Sequence, residues 1–180
     1  MRTRATCLFI LLTVIAGSSL SAATPQWIWA TKNIRGNETA YFRKTLELPA
    51  DVKKAQVAAA CDNVVTLFIN GEQVLQNSEW SQPAHVDVTK RLKKGSNQIA
   101  LRGENDNSAM AGMILRLDVE LADGKKLSLV TDPSWKAAES EASGWQKAGF
   151  DDSGWKASVS LGNLGVGPWN NIAMVPGKSA

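Results

Sequence analysis

"GMILRLDVELADGKKLSLVTD", residues 112–132, decides the fold class. Met113, Leu115, Leu117, Val119 and Leu121 recur at every second position, with Arg116, Asp118 and Glu120 between them. Successive side chains of an extended chain point to opposite faces, so this period predicts a strand with one buried and one wet face. Asp123-Gly124 then supplies the left-handed backbone of a tight hairpin, and Leu127 and Leu129 resume the apolar face.

The same device stands earlier, in "NVVTLFINGEQVL" (63–75), where Asn70-Gly71 joins two β-rich runs. Here both faces are apolar, Val65, Leu67 and Ile69 against Val64, Thr66 and Phe68, which predicts a strand in the middle of a sandwich, covered on both sides. "TAYFRKTLELP" (39–49), "KKAQVAAACD" (53–62) and "SNQIALRGEN" (96–105) are further strand candidates. No helical period lasts three turns. "DVTKRLKKGSN" (87–97) allows one short helical turn, ended by Lys93-Lys94-Gly95. Many short strands with a turn signal every ten residues or so predict an all-β, antiparallel β-sandwich.

The N-terminus reads differently. Arg2 and Arg4 precede an apolar run, "CLFILLTVIAG" (7–17), and Ser21 and Ala23 are the small residues a signal peptidase requires. Residues 1–23 are therefore expected to be a cleaved signal peptide, leaving residues 24–180 as a secreted or periplasmic β-sandwich with a Trp-rich C-terminal segment (132–180). The formal net charge is +3, and removing Arg2 and Arg4 from the 20 basic residues leaves 18 against 17 acids. That balance lacks the electrostatic footprint of a nucleic-acid binder. No segment after the first two dozen residues is apolar enough to insert in a membrane. Cys61 would then be the one cysteine of the mature chain, so an internal disulfide is not expected.

An ordered set of pieces carries a resemblance: Asp62-Asn63, Phe68-Ile69-Asn70-Gly71, Asp87-Val88-Thr89, Leu92-Lys93-Lys94-Gly95-x-Asn97, and Thr131-Asp132-x-Ser134-Trp135-Lys136. With "QWIWA" (26–30), "FDDSGWKAS" (150–158) and "GPW" (167–169), the set resembles the jelly-roll domains of the galactose-binding-like superfamily. It is similar in particular to the N-terminal sugar-binding domain of family 2 glycoside hydrolases and the N-terminal domain of bacterial α-L-rhamnosidases. The resemblance implies a jelly-roll β-sandwich and an accessory role, binding sugar or supporting a catalytic domain without chemistry of its own.

The residues give little to set against that. His85 and Asp87 share a face by alternation and could pair, yet no activated Ser or Cys motif accompanies them. Cys61, after Ala58-Ala59-Ala60, reads as a buried small hydrophobe rather than a nucleophile. Carboxylates for a small glycoside hydrolase exist in Glu104, Asp106, Asp151 and Asp152, but nothing sets their separation. No Cys/His cluster suggests zinc.

"RGENDNSAMAGM" (102–113) is the richest polar segment. Amides and carboxylates bind pairs of sugar hydroxyls while an aromatic ring covers the apolar face of the sugar. Asn105, Asp106 and Asn107 are the expected polar contacts, and Trp80, in the polar loop "QNSEWSQPAH" (76–85), is the expected ring. Glu104 and Asp106 also offer the oxygen ligands a structural calcium prefers. Trp27 and Trp29 alternate around Ile28 and are expected to point the same way, into or along the core. Trp135, Trp145 and Trp155, ten residues apart but separated by turns, are expected to clip the C-terminal segment onto the sandwich rather than to form a sugar platform. The expected function is non-catalytic carbohydrate binding. The alternative is an accessory module that docks on an exported partner protein without binding glycan.

Overall fold

The computed structural model describes residues 23–106 and 109–175. Twelve strands, numbered in chain order, make two antiparallel sheets. The first sheet runs β12 (Val159–Asn163), β1 (Gln26–Trp29), β8 (Gly112–Leu121), β3 (Val52–Asp62) and β6 (Ala84–Asp87), with β9 (Lys126–Val130) also paired to β8. The second runs β11 (Lys156–Ala157), β10 (Lys136–Ala138), β2 (Glu38–Leu48), β7 (Gly95–Asn105), β4 (Val64–Ile69) and β5 (Glu72–Asn77). A 3-10 turn, Thr89–Arg91, lies between β6 and β7. This is the all-β antiparallel sandwich the alternation predicted, in keeping with the jelly-roll the resemblance implied.

The hairpin of residues 112–132 forms as read: β8 pairs with β9 from Glu120↔Lys126 to Arg116↔Val130. Met113, Leu115, Leu117, Val119 and Leu121 enter the space between the sheets. There they meet Phe42, Val65, Leu67, Ile99 and Leu101 of the second sheet. Thr131 ends the hairpin by welding three strands: its Oγ1 accepts from Leu115 N and donates to the Gln26 carbonyl.

One expectation about faces holds and one needs correction. β4 lies between β7 and the edge strand β5, with Val65, Leu67 and Ile69 turned into the core. Cover on its outer face comes from the C-terminal segment, where Phe68 meets the edge of Trp145 at 5.5 Å between centroids. Trp27 and Trp29 do not point the same way. Ile28 and Trp29 enter the core while Trp27 turns to the outer face of the first sheet, beside a register irregularity in the pairing of β1 with β12. The unpaired residue is Leu161 of β12, since Trp27 pairs with Gly162 and Ile28 with Ser160.

The C-terminal segment covers both outer faces. Residues 139–155 lie over the second sheet, bringing Trp145 against Tyr41 and Ala100. The chain then crosses at Ser158, whose N and Oγ bond the carbonyls of Trp135 and Asp132. Beyond β12, Trp169, Ile172 and Met174 pack over Trp27, Ala58, Ala60 and Ile114 of the first sheet. The clip reading of the three tryptophans holds, with a division of labour. Trp135 is a core residue whose Nε1 donates to Val130 O, whereas Trp145 and the half-buried Trp155 stack at 6.3 Å on the outside.

Candidate functional site

One pole of the sandwich gathers the polar residues. β3 ends and β4 begins at Asp62-Asn63, joined by a cis peptide, and β7 ends at Asn105 beside them. Asn63 N donates to the Glu104 carbonyl at 2.8 Å. Its side-chain Oδ1 accepts from Asp106 N at 2.7 Å. The corner thus holds the start of the β7–β8 loop in place through one asparagine. A third segment joins through Asn105, whose Nδ2 donates 3.0 Å to Arg35 O in the β1–β2 loop.

An aromatic wall backs this corner. Trp169 Nε1 donates to Asp62 Oδ2 at 2.9 Å, and its ring stacks on Trp27 with centroids 4.5 Å apart. Gly112 makes the stack possible. A Cβ there would lie 2.8 Å from Trp169, closer than side chains tolerate, and a tight 3.1 Å from Trp27. Trp80 packs on the same cluster from the loop between β5 and β6. Asn77 shapes that loop, its Nδ2 donating to the carbonyls of Glu79 and Gln82. Trp169 therefore touches both parts of the pole: Asp62 through its nitrogen, and Trp80's cluster through its ring.

The expected site residues fare unequally. Asp106 is exposed at the rim. Asn105 is 1% exposed, so it shapes the loop from inside rather than offering its amide to solvent. Asn107 lies outside the described residues. Trp80 is half-buried rather than solvent-facing, because the Trp27–Trp169 cluster gives it an apolar surface that its polar sequence neighbours do not. Glu104 is committed to Arg102, whose Nη1 donates to it at 2.7 Å. Among the described residues no three His, Cys, Asp or Glu side chains gather as a metal centre would need. Asp62, Asn63 and Trp169, which the sequence does not mark as contacts, also meet at this corner. Their signal was faint, a polar pair at a strand end and a lone indole more than a hundred residues later.

The residues considered for catalysis disperse. His85 is exposed and its ring Nε2 bonds Ala173 O at 2.9 Å, while Asp87 accepts from Gln56 Nε2 and Thr89 N. The two side chains make these separate contacts rather than the pair that alternation allows, and His85 is a solvent-exposed histidine. Cys61 is fully buried, and desolvation pushes its thiol pKa well up, as an inert core cysteine requires. Asp152 is bound to Arg43 on the far face of the second sheet.

Comparison with known proteins decides what this sandwich resembles. No family model matches the chain. An α-L-rhamnosidase of Streptomyces avermitilis is 35% identical over 160 residues, which cover 83% of this chain and 15% of the enzyme. The chain is similar to one segment of α-L-rhamnosidases. A crystal structure of the Streptomyces avermitilis enzyme complexed with L-rhamnose matches this rhamnosidase-like sandwich with a TM-score of 0.77 and 32% identity, over 86% of this chain and 17% of that one. The Pleurotus ostreatus lectin matches in its apo form with a TM-score of 0.75 and 30% identity, over 87% and 46% of the two chains. A complex of Pleurotus ostreatus lectin with GalNAc matches at 0.72 and 26%, over 83% and 46%. The chain thus spans only a small part of the rhamnosidases it matches and under half of the lectin.

Proposed function

We propose that this rhamnosidase-like sandwich is a non-catalytic carbohydrate-binding module that works outside the cytoplasm. One observation carries the reading: Asp62-Asn63, the start of the β7–β8 loop and the Trp27–Trp169–Trp80 cluster meet at one pole. Polar side chains that fix hydroxyl orientation beside an aromatic wall are what a sugar site requires. Support comes from likeness to a lectin solved with GalNAc and to a segment of an enzyme solved with L-rhamnose. In this reading Asn63 and Asp106 contact the ligand, with Asn107 as the third polar contact and Asn105 holding the loop from within. Trp80 presents the exposed part of its ring. Calcium is proposed at Asp106 and Glu104, the latter through the oxygen that does not accept from Arg102.

The test is isothermal titration of the chain with L-rhamnose and with GalNAc, in calcium and in EDTA. Saturable binding that Asn63→Ala and Asp106→Ala each weaken is the expected result; heat equal to dilution with both sugars under both conditions overturns it. The rival reading, docking on an exported protein, needs a broad apolar patch. Among the described residues Met110, at 48% exposure, is the one large apolar side chain exposed, which favours the glycan reading.

A further inference from the structure

The opposite pole carries a second feature. β3 and β8 run antiparallel, with Asp62 paired to Gly112 at one end and Val52 to Leu121 at the other. Eleven residues of strand separate the two ends by about 33 Å. At the Val52 end, Lys53, Lys54, Lys90 and Arg91 line an open cleft of about 940 Å3 together with Asp87, Glu120 and Thr89.

The walls are built rather than loose. Ala55 N donates to Thr89 Oγ1 at 2.9 Å, and Val88 N donates to Ala55 O at 3.0 Å, tying the 3-10 turn to β3. Asp87 is held by Thr89 N and Gln56 Nε2. Two of the four cations are already matched: Lys53 pairs with Glu120 at 2.6 Å, and Arg91 with Glu72. Lys54 and Lys90 are exposed and form no ion pair among the described residues.

This mixture selects a class of ligand. A dense polyanion such as a nucleic acid brings several acceptors to each cation and would be repelled by Asp87 and Glu120. A ligand with sparse negative charge and many hydroxyls uses both kinds of side chain: ammonium groups pair with the charge, while carboxylates accept from hydroxyls. We propose that this cleft binds an acidic saccharide, a glycan carrying uronate carboxylates. Lys54 and Lys90 take the uronate, and Asp87, Glu120 and Thr89 take the ring hydroxyls. The site stands apart from the polar pole and does not depend on it.

Titration of the chain with an oligogalacturonate at low ionic strength, followed by amide chemical shifts, tests the proposal. Wild type is expected to show saturable shifts centred on residues 53–54 and 87–91, absent with a neutral dextran oligomer. Lys54→Gln with Lys90→Gln is expected to weaken binding by about tenfold, as loss of two exposed charge contacts allows. Asn63→Ala is expected to leave it unchanged, so a failure of the neutral-sugar site is read separately. No saturable shift, or equal weakening by Lys32→Gln with Lys156→Gln elsewhere on the surface, overturns the proposal.

Discussion

Arg43 and Asp152, 109 residues apart, form a 3.0 Å ion pair in which the guanidinium is 2% exposed. The same guanidinium donates to the carbonyls of Trp145 and Lys147 and to Gln98 Oε1, and lies 5.0 Å from the centre of the Phe150 ring. One side chain of β2 thus fastens the whole 139–155 segment to the second sheet. A guanidinium suits this task because its planar fork can serve several acceptors at once.

Replacing Arg43 with Met should therefore destabilise the protein by about 3–5 kcal/mol, since removing one member of a buried network leaves its partners without compensation. Urea denaturation followed by tryptophan fluorescence measures this. Asp152 is more exposed than Arg43, at 30%, so Asp152→Asn should cost clearly less. Equal losses would contradict the account of Arg43 as the fastener.

Gly112→Ala tests the aromatic wall. The added methyl lies within contact limits of both Trp169 and Trp27 and must push them apart, at about 1–3 kcal/mol for overpacking. Near-ultraviolet circular dichroism should lose the contribution of the stacked indoles. Unchanged spectra would mean that the stack tolerates a Cβ and the glycine has another purpose.

Trp80→Ala separates binding from packing. Because the ring is partly buried on the cluster, the substitution should lower stability by about 1–2 kcal/mol as well as weaken sugar binding. Trp80→Phe should restore most of the stability and a share of the affinity. Thermal melts alongside titration with L-rhamnose distinguish the two effects.

Cys61 gives a pH prediction with a definite sign. Its folded pKa is raised by burial, so the stability this contributes is fully present below the ordinary thiol pKa and is lost as pH rises toward the folded value. The exposed carboxylates Asp87, Glu79 and Asp123 run the other way. Their pKa values are lowered by hydrogen bonds from Thr89, Ser81 and Lys125, and their contribution disappears as pH falls through the acid range. Stability should be flat near neutrality and decline at both extremes. Cys61 should react with a thiol reagent only at the rate of opening; fast labelling at neutral pH would contradict its burial.

Local signals in the sequence mark Asp106 and Trp80 as polar-loop residues, but Trp80's half-burial depends on the cluster around Trp169, which arrives from the C-terminal segment. Asp62 acquires its meaning from an indole 107 residues later. Asn105 looked like its exposed neighbours because composition does not record which way a strand's last side chain points.

By itself the sequence determined the long strands, the Asn70-Gly71 and Asp123-Gly124 hairpins, the buried face of β8 and the sandwich they imply, since a period of two and a turn's backbone are properties of adjacent residues; the short strands β6, β10, β11 and β12 carry no such period. Only the tertiary structure decided which face Trp27 takes, which side chains the C-terminal segment covers, and which pole gathers Asn63, Asp106 and the aromatic wall. Those outcomes depend on contacts between distant segments, where packing in three dimensions overrides the local pattern.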